Sequence, residues 1–177
     1  MELHLYLRFT YNVKKAVGEA NGASMPITRW QSEETMSSAK AHIDTALQPD
    51  EVWQIIGGFG SLPNWFPEVS QSELTDGGRI RHLHDSSGHA FVERLETYDH
   101  AAHRYSYSIV ESPISVTDYL ATLAVMPSKA NNGSHIEWSC TFMPVKMSEE
   151  EAESVFRTIF SAGLRAFAAH QDFTSTT

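Results

Sequence analysis

The chain has 177 residues, 41% hydrophobic and 20% charged, with a formal net charge of -9 when its 9 histidines are counted as neutral. This length fits a single domain with a substantial core. The acidic balance argues against binding to nucleic acid or to anionic membranes, because both require positive charge. With one cysteine, Cys140, no internal disulfide can form, and we expect the protein to act in the reducing cytoplasm.

The first 36 residues differ from the rest of the chain. Apolar residues alternate from Leu3 to Phe9, which is compatible with a short strand, and a stretch rich in loop residues follows at 17–26. We predict an N-terminal extension over residues 1–36, partly ordered at best, and one ligand-binding domain over residues 37–177. Residues without any role, added in front of the natural start, would fit the pattern equally well.

A strand and two short helical segments are predicted at the start of the domain. Apolar residues alternate with polar ones over 37–45, which is typical of a half-buried strand. Pro49, followed by two acidic residues, favours the first turn of a helix that Gly57 ends. Pro63 and Pro67 then restrict the next segment to single helical turns.

Six further strands and a long helix are predicted from the remaining pattern. Strand-like runs between 69 and 143 are separated by short turns, which imply antiparallel neighbours. Apolar residues then recur at three- and four-residue spacing, predicting a helix from Ser148 to His170 with a capping box between Ser148 and Glu151. The expected fold is α+β, with a curved seven-stranded antiparallel sheet around this helix and a cavity between them.

Seven short strings carry a family resemblance: PDEVW at 49–53, FGSLPNWFP at 59–67, VERLE at 92–96, YSYSI at 105–109, VTDY at 116–119, EWS at 137–139 and AGL at 162–164. Together with the order of elements, they resemble the START-like helix-grip superfamily (SRPBCC), and within it the bacterial polyketide cyclase/dehydrase-like branch. The resemblance covers residues 37–169 and implies the helix-grip fold. The resemblance does not indicate one particular activity, because the superfamily includes aromatase/cyclases, lipid carriers and hormone receptors.

Strand alternation predicts which side chains face the cavity, because neighbouring side chains point to opposite faces of a sheet. The more apolar sets contribute Phe91, Leu95, Tyr107, Ile109, Tyr119, Ala121, Trp138 and Cys140, together with one carboxylate, Glu93. For 79–85 neither set is clearly more apolar, and the resemblance to plant hormone receptors favours Arg81, Leu83 and Asp85 inside. The helix adds Phe156, Ile159, Phe160 and Leu164, as core residues that would also roof the cavity.

An aromatic segment from Phe59 to Pro67, with a stiff bend between Pro63 and Pro67, completes the predicted ligand-binding set with Phe59, Trp65 and Phe66. In a stiff bend, Trp65 would either close the cavity entrance or seal a corner of the core, and the second interpretation is slightly preferred.

Glu93 decides between the main functional hypotheses, since a buried carboxylate must be paired, hydrogen-bonded or protonated. Arg81 is its candidate partner, and the hydroxyls of Tyr107 and Tyr119 could donate to it. An internal ion pair that never meets a ligand fits the pattern as well as a catalytic cluster does.

These observations are compatible with three functional hypotheses. The preferred one is binding of a small hydrophobic or aromatic molecule, as a carrier, sensor or polyketide-type binding protein. The alternative is a cyclase or dehydratase that needs no cofactor and uses Glu93, Arg81, Tyr107 and Tyr119. The third is a partner-binding module with a vestigial pocket. A homodimer is also compatible with the sequence.

No metal site is expected, although four histidines lie on or near the strands. His82, His84, His89 and His42 lack a reinforcing cysteine or carboxylate spacing, and we expect them on the outer surface.

Overall fold

The computed structural model describes residues 36–174 and has the predicted order of elements. The predicted extension lies outside the described residues, apart from Met36. The elements are β1 (Ser37–Thr45), α1 (Pro49–Ile56), α2 (Leu62–Trp65), β2 (Val69–Thr75), β3 (Ile80–Asp85), β4 (Ala90–Asp99), β5 (Arg104–Glu111), β6 (Val116–Pro127), β7 (Ser134–Pro144) and α3 (Glu149–Thr174).

All seven strands form one antiparallel sheet in the order β1-β7-β6-β5-β4-β3-β2. Because β1 and β2 lie at opposite edges, the segment with α1 and α2 must cross from one edge to the other. Register shifts interrupt the ladders at four places, which are Val69/Gln71, Val92/Glu93, Leu95/Thr97 and Thr117/Leu120. Such irregularities bend strands and increase twist, and the sheet curves around the last helix, which confirms the predicted helix-grip fold.

Helix α3 begins where the capping box predicts. Ser148 Oγ accepts the backbone N–H of Glu151 at 3.2 Å, and Glu151 Oε2 accepts the N–H of Ser148 at 3.0 Å. The helix ends at Thr174 rather than His170, because residues 171–174 contain no glycine or proline that would stop it. Of the helices in the described part of the chain, none combines the length and apolar character that crossing a bilayer needs.

The apolar stripe of α3 packs on the concave face of the sheet. Phe156 lies against Phe142 with ring centroids 4.8 Å apart, and Phe160 stacks on Trp138 at the same separation. In β1 and in β3 to β7 the predicted inner residues are buried or half-buried, whereas β2 is mostly exposed. Strand alternation is therefore a correct guide to the inner face of these six strands.

Gly163 allows α3 to approach the sheet closely. A Cβ atom at this position would lie 2.8 Å from Trp138 Cζ3 and 3.3 Å from the Phe66 ring. The aromatic ring cannot retreat easily in a packed core, so a helical glycine is retained here despite its low helix propensity.

We predict that Gly163→Ala lowers the free energy of unfolding by about 1–3 kcal/mol through overpacking, measured by urea denaturation. At an exposed helical site the same change would stabilise by about 1 kcal/mol. Ala169→Gly, at an exposed position of α3, is the control for that propensity difference. A gain in stability in Gly163→Ala would show that the close approach imposes no constraint.

Candidate functional site

A cavity lies between the sheet, α3 and the segment that follows α1. Its volume is about 80 Å³, counted as the space that the centres of water molecules can occupy. One water needs roughly 10–15 Å³ on this measure, so there is room for several waters or one small ligand. Most of the wall is apolar and aromatic, with few polar groups, as is usual for small-molecule sites.

Eleven of the residues predicted for the site line this cavity. They include all four candidate catalytic residues, Arg81, Glu93, Tyr107 and Tyr119, and seven candidate ligand-binding residues, Phe66, Leu83, Phe91, Ile109, Trp138, Phe156 and Phe160. The strands and α3 therefore bring together side chains that are distant in sequence.

Six other predicted residues lie away from the cavity wall: Phe59, Trp65, Leu95, Ala121, Cys140 and Leu164. Ala121 and Cys140 face each other across β6 and β7, and Leu164 is a buried residue of α3. Leu95 immediately precedes a register shift. Alternation gives the face of a sheet but not how far a cavity extends along it, which is why these residues were included.

Trp65 is a corner of the core rather than an entrance. Its side chain is 1% exposed and packs against Phe66 and Trp138, with ring centroids 6.2 and 5.8 Å away. This placement fits the interpretation in which Trp65 seals the interior.

Seven further residues line the cavity: Leu62, Glu68, Val69, His84, Asp85, Ile114 and Ile159. The sequence places Asp85 on the inner face with Arg81 and Leu83, and Ile159 in the apolar stripe of α3, although neither is among the predicted ligand-binding residues; the other five were not predicted. Glu68 lies in a connection, where no periodic pattern applies. His84 is exposed, as expected, yet it also borders the cavity.

The predicted contact between Arg81 and Glu93 is present. The two residues are direct partners in the β3–β4 pair. Arg81 Nε and Nη2 both donate to Glu93 Oε2, at 2.8 and 2.5 Å. The Arg81 side chain is 0% exposed, whereas Glu93 is 9% exposed. Both residues border the cavity, but the guanidinium is fully buried and only the carboxylate retains exposed surface.

Phe59 holds the guanidinium from the other side. Its carbonyl accepts Arg81 Nη1 at 2.5 Å, and its ring centroid lies 4.2 Å from Arg81 Cζ. The ring of Tyr107 lies 5.1 Å from the same atom, so two aromatic faces stabilise the cation. Burial alone would lower the pKa of Arg81, but the charge of Glu93 raises it above its ordinary value. Arg81 is therefore charged.

The cavity tyrosines remain protonated at neutral pH. Burial raises the pKa of Tyr107 well above its ordinary value, and the charge of Glu93 adds to the effect. Burial does the same for Tyr119. Tyr107 accepts a hydrogen bond from Trp138 Nε1 at 2.9 Å. Among the described residues, neither hydroxyl donates to Glu93, contrary to one possibility raised by the sequence.

Two further carboxylates border the cavity. Asp85 Oδ1 accepts the backbone N–H groups of Ser87 and His89 at 2.8 and 2.9 Å, and Oδ2 contacts His89 Nδ1 at 2.9 Å. This carboxylate therefore orders the β3–β4 turn. Glu68 differs, because its Oε2 is shut off from solvent and has no hydrogen-bond partner within the described part of the chain.

Neither metal nor thiol chemistry finds support in this geometry. Within residues 36–174, no three histidine, cysteine or acidic side chains are grouped so that they could hold a metal ion. Burial raises the pKa of Cys140 to about 12, so this thiol is a poor nucleophile.

A curved sheet that grips one long helix around an apolar cavity defines the START-like helix-grip class. The chain belongs to the family described as polyketide cyclase / dehydrase and lipid transport, whose model matches residues 36–172. No curated protein matches the chain significantly.

Solved structures agree with this assignment. XoxI from Bacillus cereus is 44% identical, with a TM-score of 0.72 over 74% of this chain and 92% of that one. An uncharacterised protein from Bacillus thuringiensis is 42% identical, with a TM-score of 0.71 over 74% and 96% of the two chains. The Zhui aromatase/cyclase from Streptomyces sp. R1128 is 15% identical, with a TM-score of 0.62 over 78% and 94%, and shares the fold.

We predict that Glu93→Gln and Arg81→Met each lower the free energy of unfolding by about 3–5 kcal/mol, because either change leaves a buried charge without its partner. The double variant should recover part of this loss. Urea denaturation of the four proteins measures the coupling.

The exposed pair Arg157–Glu153, 3.6 Å apart on α3, is the matched control. Glu153→Gln should change the free energy of unfolding by less than about 1 kcal/mol. If Glu93→Gln were as mild as this control, the ion pair would have no structural role.

Proposed function

We propose that the protein binds a small hydrophobic or aromatic molecule in this cavity, as a carrier, sensor or polyketide-type binding protein. The observation that carries the proposal is an apolar cavity in which the buried ion pair between Arg81 and Glu93 forms without a ligand. The family description includes both lipid transport and cyclase or dehydrase activity, so the side chains of the site must distinguish them.

The hydrogen bonds that Glu93 accepts from Arg81 favour binding over catalysis. A general base must be able to accept a proton at working pH. Arg81 donates two charge-assisted hydrogen bonds to Glu93 Oε2, so this oxygen is already engaged within the protein and is not free to take a proton from a substrate. Tyr107 and Tyr119 remain protonated phenols. These groups are suited to orienting a ligand.

Cyclisation or dehydration is the second candidate, because Glu93 and the Tyr119 phenol border the same cavity. A wall that folds a flexible substrate would supply much of the rate enhancement, and Tyr119 would donate the proton. A cavity that is open rather than collapsed argues against the third hypothesis, a partner-binding module with a vestigial pocket. We place the function in the cytoplasm because of the single cysteine.

Binding can be tested with N-phenyl-1-naphthylamine, an uncharged fluorescent probe that is not repelled by the acidic protein. We predict saturable binding at one site per chain, with a blue-shifted emission. Ile159→Trp fills part of the cavity from α3 and should weaken binding by about tenfold or more, which is ~1.4 kcal/mol. Ile159 is half-buried and lines the wall.

Ile43→Trp is the control for this change. Ile43 is also half-buried and packs against the core, but it lies on β1 outside the cavity lining. Its replacement should leave the probe affinity near that of the parent. Equal weakening in both variants, or no saturable binding by the parent, would contradict the proposed function.

A further inference from the structure

The polar groups in the cavity wall differ in whether they can still bond a ligand. Three of the five N–H groups of Arg81 donate to protein oxygens, on Glu93 or Phe59, and the side chain has no exposed surface. Because the guanidinium is fully buried, a ligand carboxylate would have to displace these partners to reach it.

Glu93 retains capacity to accept a hydrogen bond. Both donors from Arg81 go to Oε2, and none of the described residues donates to Oε1. The side chain is more than nine-tenths buried yet borders the cavity. An ionised carboxylate is an acceptor only, so Oε1 can be satisfied only by a ligand or water that brings a donor.

Glu68 presents a second unsatisfied carboxylate oxygen at the same wall. Its backbone is held in place because its carbonyl accepts the N–H of Ser86 at 2.9 Å. Its Oε2 has neither solvent contact nor a donor in the described part of the chain. A polar atom buried in this way is destabilising until it gains a partner, so a ligand that brought a donor to it would gain binding energy.

The charge balance of the wall points to the sign of the ligand. Three carboxylates, of Glu68, Asp85 and Glu93, border the cavity together with one guanidinium, of Arg81, and one imidazole, of His84. Asp85 is engaged by the β3–β4 turn, which leaves Glu68 and Glu93 facing a ligand with unpaired oxygens. An anion would be repelled, whereas an ammonium group would form charge-assisted hydrogen bonds.

We propose that the cavity selects an apolar or aromatic molecule that carries an amine, whose ammonium group is held by Glu68 Oε2 and Glu93 Oε1. This inference rests on the proposed function and narrows its ligand class. Aromatic rings of the wall would receive the carbon skeleton, and the two carboxylates would exclude acids of the same shape.

Four naphthalenes of similar size test this selectivity: 2-naphthylmethylamine, 2-naphthalenemethanol, 2-methylnaphthalene and 2-naphthoate. Each is used at pH 7 to displace N-phenyl-1-naphthylamine from the full chain. The amine should bind at least tenfold more tightly than 2-methylnaphthalene, the alcohol should fall between them, and 2-naphthoate should be weakest. Tightest binding by the alcohol or by the acid, or equal binding of amine and hydrocarbon, would overturn the inference.

Glu68→Gln tests the assigned contact without disturbing the internal ion pair. The ratio of amine to hydrocarbon affinity should fall by about tenfold, whereas Glu73→Gln, an exposed carboxylate on β2 outside the cavity lining, should leave the ratio unchanged. The same ratio in both variants would refute a role for Glu68. If none of the four compounds displaces a bound probe, the amine inference fails while the proposed function stands; if the probe itself shows no saturable binding, the proposed function fails as well.

Discussion

The ion pair between Arg81 and Glu93 constrains both the architecture and the chemistry of the cavity. The two residues lie opposite each other on β3 and β4, and neither charge is tolerable there alone. Arg81 also binds the carbonyl of Phe59, which ties the segment between α1 and α2 to the sheet. That segment continues into Leu62, Phe66 and Glu68 at the cavity wall. One buried cation thus positions both the β3–β4 hairpin and the chain that crosses the sheet.

Aromatic packing forms much of the remaining wall and limits its flexibility. Trp138 donates to the Tyr107 hydroxyl and stacks on Phe160, while Gly163 allows α3 to come within contact of the same indole. Tyr107 in turn lies over the guanidinium of Arg81. The polar pair and the helix are therefore linked through two side chains. A wall built in this way is preorganised, which reduces the conformational cost of binding a ligand.

Strand periodicity was sufficient to predict the sheet and the inner position of Glu93. The inner position of Arg81, and hence its contact with Glu93, came from the family resemblance, because neither face of 79–85 is clearly more apolar. Periodicity could not predict the carbonyl contact of Phe59, which depends on how a crossing segment packs. Nor could it place Glu68, since a connection has no alternation to interpret. For Ala121 and Cys140 the predicted face of the sheet was correct, but the cavity does not extend to these two residues. The end of the cavity is set by tertiary packing, which no local pattern encodes.

The most direct test of the account is to locate N-phenyl-1-naphthylamine on the protein by intermolecular nuclear Overhauser effects to labelled isoleucine, leucine and valine methyl groups. The account predicts contacts with Leu83, Ile109, Ile114 and Ile159, which line the cavity from β3, β5, a loop and α3. Contacts confined to the exposed apolar residues Leu74, Val110 and Leu120 would place the probe on the outer surface and contradict the assignment of the cavity as the ligand-binding site.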